Sequence, residues 1–335
     1  MYDVLGICLV LGAALTVNAL ATLAAASIWR AFLERRTRGW PAATRAQLIF
    51  ALRISPPAVA LAAVAALLVP SYLVYEPRAT TETVSLKLAI LAVSSALGIA
   101  LALWRGLAAW RVTRRLAADW IRHGEPAHLD GVNIPAFRIR HSFPVIAVVG
   151  VLRPRLFVAS RILEELKPEE VAAAIKHEAG HLAARDNFKC GALRACRDVL
   201  ALVPCARSLD LAWAESAEAA ADEFAAQDGA TAALNLAAAL VKIARIAPVN
   251  ARPAMPAGVF LLGERESGVA WRVRRLLQLA TGSAPEQNRR LARGGRTVWG
   301  IFLGAFVAGL ALIAANPHIL ATMHAAIERI VQALA

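Results

Sequence analysis

The sequence predicts a polytopic α-helical membrane protein with an inserted α+β domain, which is mostly helical and contains a small β-sheet or hairpin. Two observations carry this prediction. The chain of 335 residues is 58% hydrophobic, with a mean hydropathy of +0.53, whereas soluble domains contain about 45–50% apolar residues. The apolar residues are also concentrated in four long runs without charged side chains. This composition excludes a single water-soluble globule and a disordered chain.

Four predicted membrane spans cover residues 5–29, 56–75, 88–104 and 298–317. A helix needs about 20 apolar residues to cross the hydrocarbon core of a bilayer, and the third run is the shortest of the four. Buried core helices are the alternative interpretation, but the charged residues that border the runs argue against it. The residues before the first run include one acidic residue, Asp3, and no basic residue. We therefore interpret this run as an uncleaved span rather than a signal peptide.

Arginine-rich segments predict the orientation of these spans. Residues 30–55, between the first two spans, contain six arginines against a single Glu34, whereas residues 76–87 are balanced in charge. Further arginines follow the third span and precede the fourth. Because basic loops stay on the cytoplasmic side, residues 105–297 are predicted to form a cytoplasmic domain, with both termini extracytoplasmic. The net charge of +13 then requires no direct nucleic-acid partner.

The cytoplasmic domain is predicted to start with a helix that continues out of the membrane, followed by a short β-region and then by further helices. Residues 137–141, 144–149 and 156–159 predict a small sheet with a hairpin. Beyond the fourth span, residues 318–335 have apolar side chains at helical spacing. This amphipathic tail either lies on the outer membrane surface, or binds a partner, or packs on the helix bundle.

The motif His177-Glu178-Ala179-Gly180-His181 lies within a predicted helix that starts at Pro168. Two histidines four residues apart project from the same helix face and can bind one Zn²⁺. Glu178 is placed to contact a metal-bound water, but not to be the third ligand. The pattern is typical of zinc peptidases, in which the metal lowers the pKa of water toward about 7 and the glutamate accepts its proton.

A catalytic zinc site needs a third protein ligand, for which Glu218 is the candidate. Glu218 lies on the alanine-rich helical stretch 211–226, whose small side chains would allow a close approach to the first helix. Asp222, on the same face, is expected to orient a zinc-bound histidine. Glu215 and Glu223 are rival ligands, but neither has an acidic residue four positions later. Solvated surface carboxylates are the alternative interpretation. We therefore predict one Zn²⁺ per chain.

The order of the two motifs, H-E-x-x-H and then E-x-x-A-D, resembles that of the gluzincin peptidases. It is most similar to the BlaR/MecR-type membrane metallopeptidases. Residues 181–187 resemble that family's extension of the zinc motif, and residues 144–158 resemble the hairpin that precedes its zinc helix. Residues 271–277 are a weaker match. The resemblance implies that Asp186, like Asp222, supports a zinc ligand without binding the metal itself.

The resemblance implies a gluzincin-like zinc endopeptidase in a bacterial cytoplasmic membrane. By analogy it is a signal-transducing enzyme that cleaves a cytoplasmic regulatory protein, such as a transcriptional repressor, or itself. Quality-control or processing peptidases of the HtpX and CAAX-protease types share both zinc motifs and are the alternative. A non-catalytic receptor or scaffold with a retained peptidase fold is a second alternative. Only the short tail 318–335 follows the last span, so we expect no penicillin-binding sensor domain.

Substrate contacts are less well specified by the sequence. The predicted strand 156–159 is expected to offer a free sheet edge to an extended peptide. The group that stabilises the oxyanion is not identified, and His141 and Arg185 are candidates on their chemistry alone.

Overall fold

The computed structural model of the chain describes residues 2–78, 84–129, 132–201, 206–247, 266–282, 309, 312 and 315–334. The described chain is mostly helical and contains one small sheet, which confirms the predicted fold class at that level. The fourth predicted span, 298–317, lies almost entirely outside the described residues.

Three long helices contain the first three predicted spans. They are α1 (Tyr2–Arg36), α2 (Ala42–Tyr75) and α3 (Leu86–His123), and each is long and apolar enough to cross a membrane. Helix α1 packs against both α2 and α3. Helix α3 runs well beyond the span predicted at 88–104, which confirms that a single helix continues out of that span. The orientation of these helices, that is, which helix end faces which side of the membrane, remains a prediction.

A four-stranded sheet follows α3. Its strands are β1 (Glu125–Ala127), β2 (Ala136–Ile139), β3 (Ile146–Val149) and β4 (Arg155–Ala159), in the spatial order β1-β2-β4-β3. Strands β3 and β4 form the predicted antiparallel hairpin, and Gly150 begins its turn with a φ of 106°. Strand β2 pairs with β4 in parallel, and β1 was not predicted from the sequence.

The prediction that residues 156–159 offer a free sheet edge is wrong. Strand β4 pairs with β2 on one side and with β3 on the other, so its main-chain groups are used on both sides. Among the described strands, β1 and β3 are the edges. Hydrophobic patterning shows which face of a strand is buried, but the strand order depends on how the chain crosses from β2 to β4.

Further helices build the rest of the domain around the sheet. They are α4 (Ser160–Glu165), α5 (Pro168–Ala184), α6 (Asp186–Val199), α7 (Arg207–Ala225), α8 (Ala230–Ile246), α9 (Glu266–Ala280) and, at the C-terminus, α10 (Pro317–Leu334). One core lies between the sheet, α5 and α8. A second core joins α1 and α2 to α6 and α7. The long helices therefore pack directly against the domain that contains the zinc motif.

The C-terminal helix α10 packs on the ends of the long helices. Ile327 and Val331 contact a cluster that includes Leu5 and Tyr72, and the Ser71 hydroxyl donates a hydrogen bond to the Leu320 carbonyl at 3.0 Å. Of the alternatives left open for this tail, the structure therefore supports packing on the bundle.

Candidate metal centre

Helix α5 positions the first half of the centre. Pro168 occupies its first turn, and the Glu170 carboxylate accepts a hydrogen bond from the Lys167 amide at 2.8 Å, which caps the helix. The helix ends at Arg185, which adopts a left-handed conformation with φ 56°. Helix α6 starts at the next residue, Asp186, and this sharp junction brings the Asp186 carboxylate back against α5.

Helix α7 crosses α5 at close range, and Gly180 permits this approach. A Cβ atom at Gly180 would lie 3.1 Å from the Ala221 Cα and 3.2 Å from the Phe224 Cβ. Buried alanines on α7, including Ala217 and Ala221, keep the helix surface flat on this side. The small residues of both motifs therefore bring Glu218 within reach of the two histidines.

His177, His181 and Glu218 form a group that could hold a metal ion, with one ligand atom from each within 4.8 Å of the other two. The two Nε2 atoms are 3.2 Å apart. Glu218 oxygens lie 3.7 Å from His177 Nε2 and 3.6 Å from His181 Nε2. These separations are close to the roughly 3.4 Å expected between two ligands of a tetrahedral zinc ion with bonds of about 2.0–2.1 Å.

The chemistry of the group also fits zinc. Two imidazoles and a carboxylate are the donor set of many catalytic zinc sites. Both histidine side chains are almost fully buried, and Glu218 places one oxygen near each of their Nε2 atoms. A cation bound among these three residues would share Glu218 with the Arg272 guanidinium, which pairs with Oε2 at 2.8 Å.

The rival carboxylates lie elsewhere. Glu223 pairs with Arg275 and accepts a hydrogen bond from the Ala42 amide at 3.1 Å, which ties α7 to the start of α2. Glu215 is exposed. Of the acidic residues predicted on α7 as ligands, only Glu218 joins the histidines.

Each histidine has a carboxylate on its other ring nitrogen. Asp222 Oδ1 lies 3.0 Å from His177 Nδ1, and Asp186 Oδ2 lies 2.8 Å from His181 Nδ1. Such contacts fix the tautomer and the orientation of metal-binding histidines. The structure thus places Asp222 and Asp186 beside the predicted ligands, and both Nε2 atoms face Glu218.

Burial and neighbouring charges shift the pKa values of these groups. Burial raises the pKa of Glu178 to about 7. Burial also lowers the pKa of His177, whereas for His181 the hydrogen bond to Asp186 and the charge of Glu218 outweigh burial and raise the pKa to about 9. A glutamate that titrates near neutral pH suits proton transfer, and His181 must release its proton to bind a metal.

Glu178 lies beside the edge strand β3. Its carboxylate accepts a hydrogen bond from the Val148 amide at 3.1 Å. The Asn187 side chain donates to the carbonyls of Val148 and Gly150, at 2.9 and 3.1 Å. Both outward main-chain groups of Val148 therefore contact residues around the zinc motif. Among the described strands, the edge that lies beside Glu178 is therefore β3 and not β4.

Arg272 on α9 was given no role in the sequence analysis, yet it lies inside the centre. Its Nε and Nη2 donate to the two Asp222 oxygens at 2.9 and 2.6 Å, and its Nη1 forms an ion pair with Glu218 at 2.8 Å. The signal in the sequence was its position on the apolar face of α9, with Val269 and Leu276. A single arginine on an apolar stripe indicates a buried ionic partner.

The two oxyanion candidates have other surroundings. His141 Nδ1 accepts a hydrogen bond from the Phe143 amide at 3.1 Å, and its ring packs edge-on against Trp120. Arg185 is exposed at the junction of α5 and α6. Neither His141 nor Arg185 is part of the group formed by His177, His181 and Glu218.

No protein-family model, no curated protein and no solved structure matches this chain. Functional inference therefore rests on the residues and geometry described above.

Proposed function

We propose that this protein is a membrane-embedded zinc endopeptidase. The observation that carries the proposal is that one ligand atom each of His177, His181 and Glu218 lies within 4.8 Å of the other two, with buried Glu178 directly after His177 on α5. Three protein ligands leave one coordination position of a tetrahedral zinc ion for water or substrate, as in catalytic rather than structural sites.

The residues around the centre have separate tasks in this proposal. A bound zinc ion supplies a Lewis acid and a water of lowered pKa. Glu178 accepts a proton on its carboxylate and returns it to the leaving amine, which its pKa of about 7 favours. Asp222 and Asp186 hold the imidazoles of His177 and His181 in position.

An extended peptide would bind along the outer edge of β3, which pairs with no further strand among the described residues. Strand addition at an edge uses the outward main-chain groups of the strand. At Val148 these groups contact Glu178 and Asn187. A substrate that pairs there would displace both contacts and release Glu178 for proton transfer. Peptide binding and the freeing of the base are thereby coupled.

The charge pattern supports a cytoplasmic position for the centre, with both termini outside. The resemblance of residues 144–158 to the hairpin of the BlaR/MecR-type peptidases supports a signalling peptidase of that type, whose substrate is by analogy a cytoplasmic regulatory protein or the enzyme itself. The quality-control and processing peptidases of the HtpX and CAAX types would use the same chemistry on other substrates. The intact Glu178 and ligand set disfavour a non-catalytic scaffold.

The decisive experiment is Glu178→Gln in the purified full-length protein, with bound zinc and cleavage of an unfolded protein substrate measured together. We expect unchanged zinc content and cleavage slowed by about 100-fold or more, because general acid–base catalysis is lost. Glu218→Gln should lose one zinc ion per chain, whereas the exposed control Glu215→Gln should behave like the wild type. Unchanged cleavage by Glu178→Gln would refute the proposal.

A further inference from the structure

A second group of potential metal ligands lies at the far end of α2 from the first. It consists of Glu76, which directly follows α2, and of His324 and Glu328 on α10, with one ligand atom from each within 4.8 Å of the other two. Because α2 has 34 residues, its ends are about 50 Å apart. The other end of α2, at Ala42, contacts Glu223 beside the first centre. The two groups are therefore distinct sites.

The nitrogen–oxygen distances in this group are longer than hydrogen bonds, and they involve the two different ring nitrogens of His324. His324 Nδ1 is 4.0 Å from Glu76 Oε2, and His324 Nε2 is 3.5 Å from Glu328 Oε1. Hydrogen bonds between nitrogen and oxygen are about 2.7–3.2 Å long, whereas two ligands of one zinc ion lie roughly 3.4 Å apart. One imidazole offers a single nitrogen to an ion, so only one of these two distances separates ligands of the same ion, and the grouping rests on one ligand atom from each residue lying within 4.8 Å of the other two.

The surroundings fix the orientation of the His324 ring but leave its Nδ1 atom without a hydrogen-bond partner. His324 Nδ1 is buried and has no hydrogen-bond partner. The ring stacks on Tyr75, whose hydroxyl donates to the Pro317 carbonyl at 3.0 Å. The Glu76 side chain is 9% exposed and that of Glu328 is 48% exposed. The cluster therefore has a buried side on α2 and an open side through which an ion can reach it.

We propose that Glu76, His324 and Glu328 bind a divalent cation of the zinc type and fasten α10 to the end of α2. A neutral imidazole and two carboxylates balance the charge of the ion and form a donor set that suits zinc. His324 and Glu328 are four residues apart, the spacing that also places His177 and His181 on one helix face. The bound ion would link the C-terminal helix to the membrane bundle.

The test is zinc binding by the full-length protein in detergent, after the metal is removed with a chelator and Zn²⁺ is added back. We expect His324→Gln to bind one zinc ion fewer per chain than the wild type. Glu328→Gln, which alters the exposed side of the group, should show the same loss even if His324→Gln fails to fold. His318→Gln, an exposed residue on the same helix, is the matched control and should bind as much zinc as the wild type.

A second measurement reports the position of the helix. Zinc should slow the tryptic cleavage after exposed Arg329 in the wild type and in His318→Gln, but not in Glu328→Gln. Equal zinc content in the wild type, His324→Gln and Glu328→Gln would overturn the proposal. The three residues would then form only a cluster of ion pairs. Glu218→Gln distinguishes the two centres. When His324→Gln is combined with Glu218→Gln, it must still remove one further zinc ion per chain, even if the first centre is not a peptidase site.

Discussion

At the scale of single residues, Arg272 shows how much of the centre depends on a buried cation. Its guanidinium reaches two carboxylates at once, and one of them, Asp222, is completely buried. Burial raises the pKa of Asp222, but the charge of Arg272 and the contact with His177 outweigh it and hold this pKa well below its usual value. Asp222 is therefore charged when it orients His177.

Removal of this guanidinium should damage both stability and metal binding. We expect Arg272→Ala to lower the free energy of unfolding by about 3–5 kcal/mol, because it leaves a buried carboxylate unpaired. Zinc affinity should fall about 10–100-fold, as when the partner of a metal ligand is lost. Arg272→Lys should be intermediate, since lysine lacks the planar fork. Denaturant titration and zinc retention measure both effects, and exposed Arg274→Ala should change neither.

Glu170 predicts a pH dependence of stability. Burial raises its pKa, but hydrogen bonds from Lys242 and from the Lys167 amide outweigh burial and lower the pKa below 4.5. A carboxylate with a lowered pKa stabilises the fold fully above its unfolded-state pKa, and this contribution is lost as the pH falls through the folded-state value.

We therefore expect Glu170→Gln to lower the free energy of unfolding at pH 7 by about 1–3 kcal/mol. The difference from the wild type should shrink as the pH falls below 4.5, the ordinary pKa of a glutamate, and disappear once the pH is below the lowered pKa of Glu170. Unfolding midpoints measured across this range, with exposed Glu169→Gln as the control, test the prediction. A difference that persists in acid would contradict the assigned charge interaction.

At the scale of elements, the contact between α5 and α7 decides whether the centre forms. The spacing of these helices depends on Gly180, where a Cβ atom would come within 3.1 Å of α7 main chain. Such a contact is shorter than normal van der Waals separation, so one helix must move. Because Glu218 is on α7 and both histidines are on α5, this movement changes the ligand distances directly.

Gly180→Ala should therefore weaken zinc binding, even though alanine favours helix formation by about 1 kcal/mol. Gly191 provides the matched control on α6, since a Cβ atom there would meet nothing within 4 Å. Gly191→Ala should keep zinc affinity and raise the unfolding midpoint. Competition with a zinc-sensitive dye measures the affinities, and equal affinity in both variants would show that helix spacing does not control the centre.

The sheet shows the limit of prediction at the same scale. The hairpin was predictable because β3 and β4 are adjacent in sequence and Gly150 marks the turn. The parallel pairing of β2 with β4 was not, because it depends on how the chain crosses over rather than on local patterning. This pairing moves the free edge to β3 and so changes which main-chain groups lie beside Glu178.

At the scale of the whole molecule, the long helices and the domain form a continuous structure. Trp29 on α1 and Ile49 on α2 share a core with Leu209 and Trp213 on α7. Arg53 on α2, 1% exposed, also pairs with Asp210 at 3.0 Å. The long helices α1 and α2 therefore share a core and an ion pair with α7, the helix that bears Glu218.

The proposed orientation of the molecule can be tested with cysteine labelling. In a variant without native cysteines, a membrane-impermeant thiol reagent should label Arg78→Cys on intact cells. It should label Gly39→Cys only after the cells are permeabilised. Both positions are exposed and lie at opposite ends of α2, and the arginines of residues 30–55 predict that Gly39 is cytoplasmic. The reverse pattern would refute the orientation.

The sequence by itself determined the long helices and the pairing of His177 with His181. Both depend on local chemistry: the length of an apolar run relative to the bilayer, and the helical period of 3.6 residues. The same period, with the order of the motifs, identified Glu218 as the residue to place beside them. Only the tertiary structure decided the insertion of Arg272 and the interior position of β4. It also decided the contact of His324 with Glu76, because these arrangements join residues far apart in the chain through packing that no local pattern records.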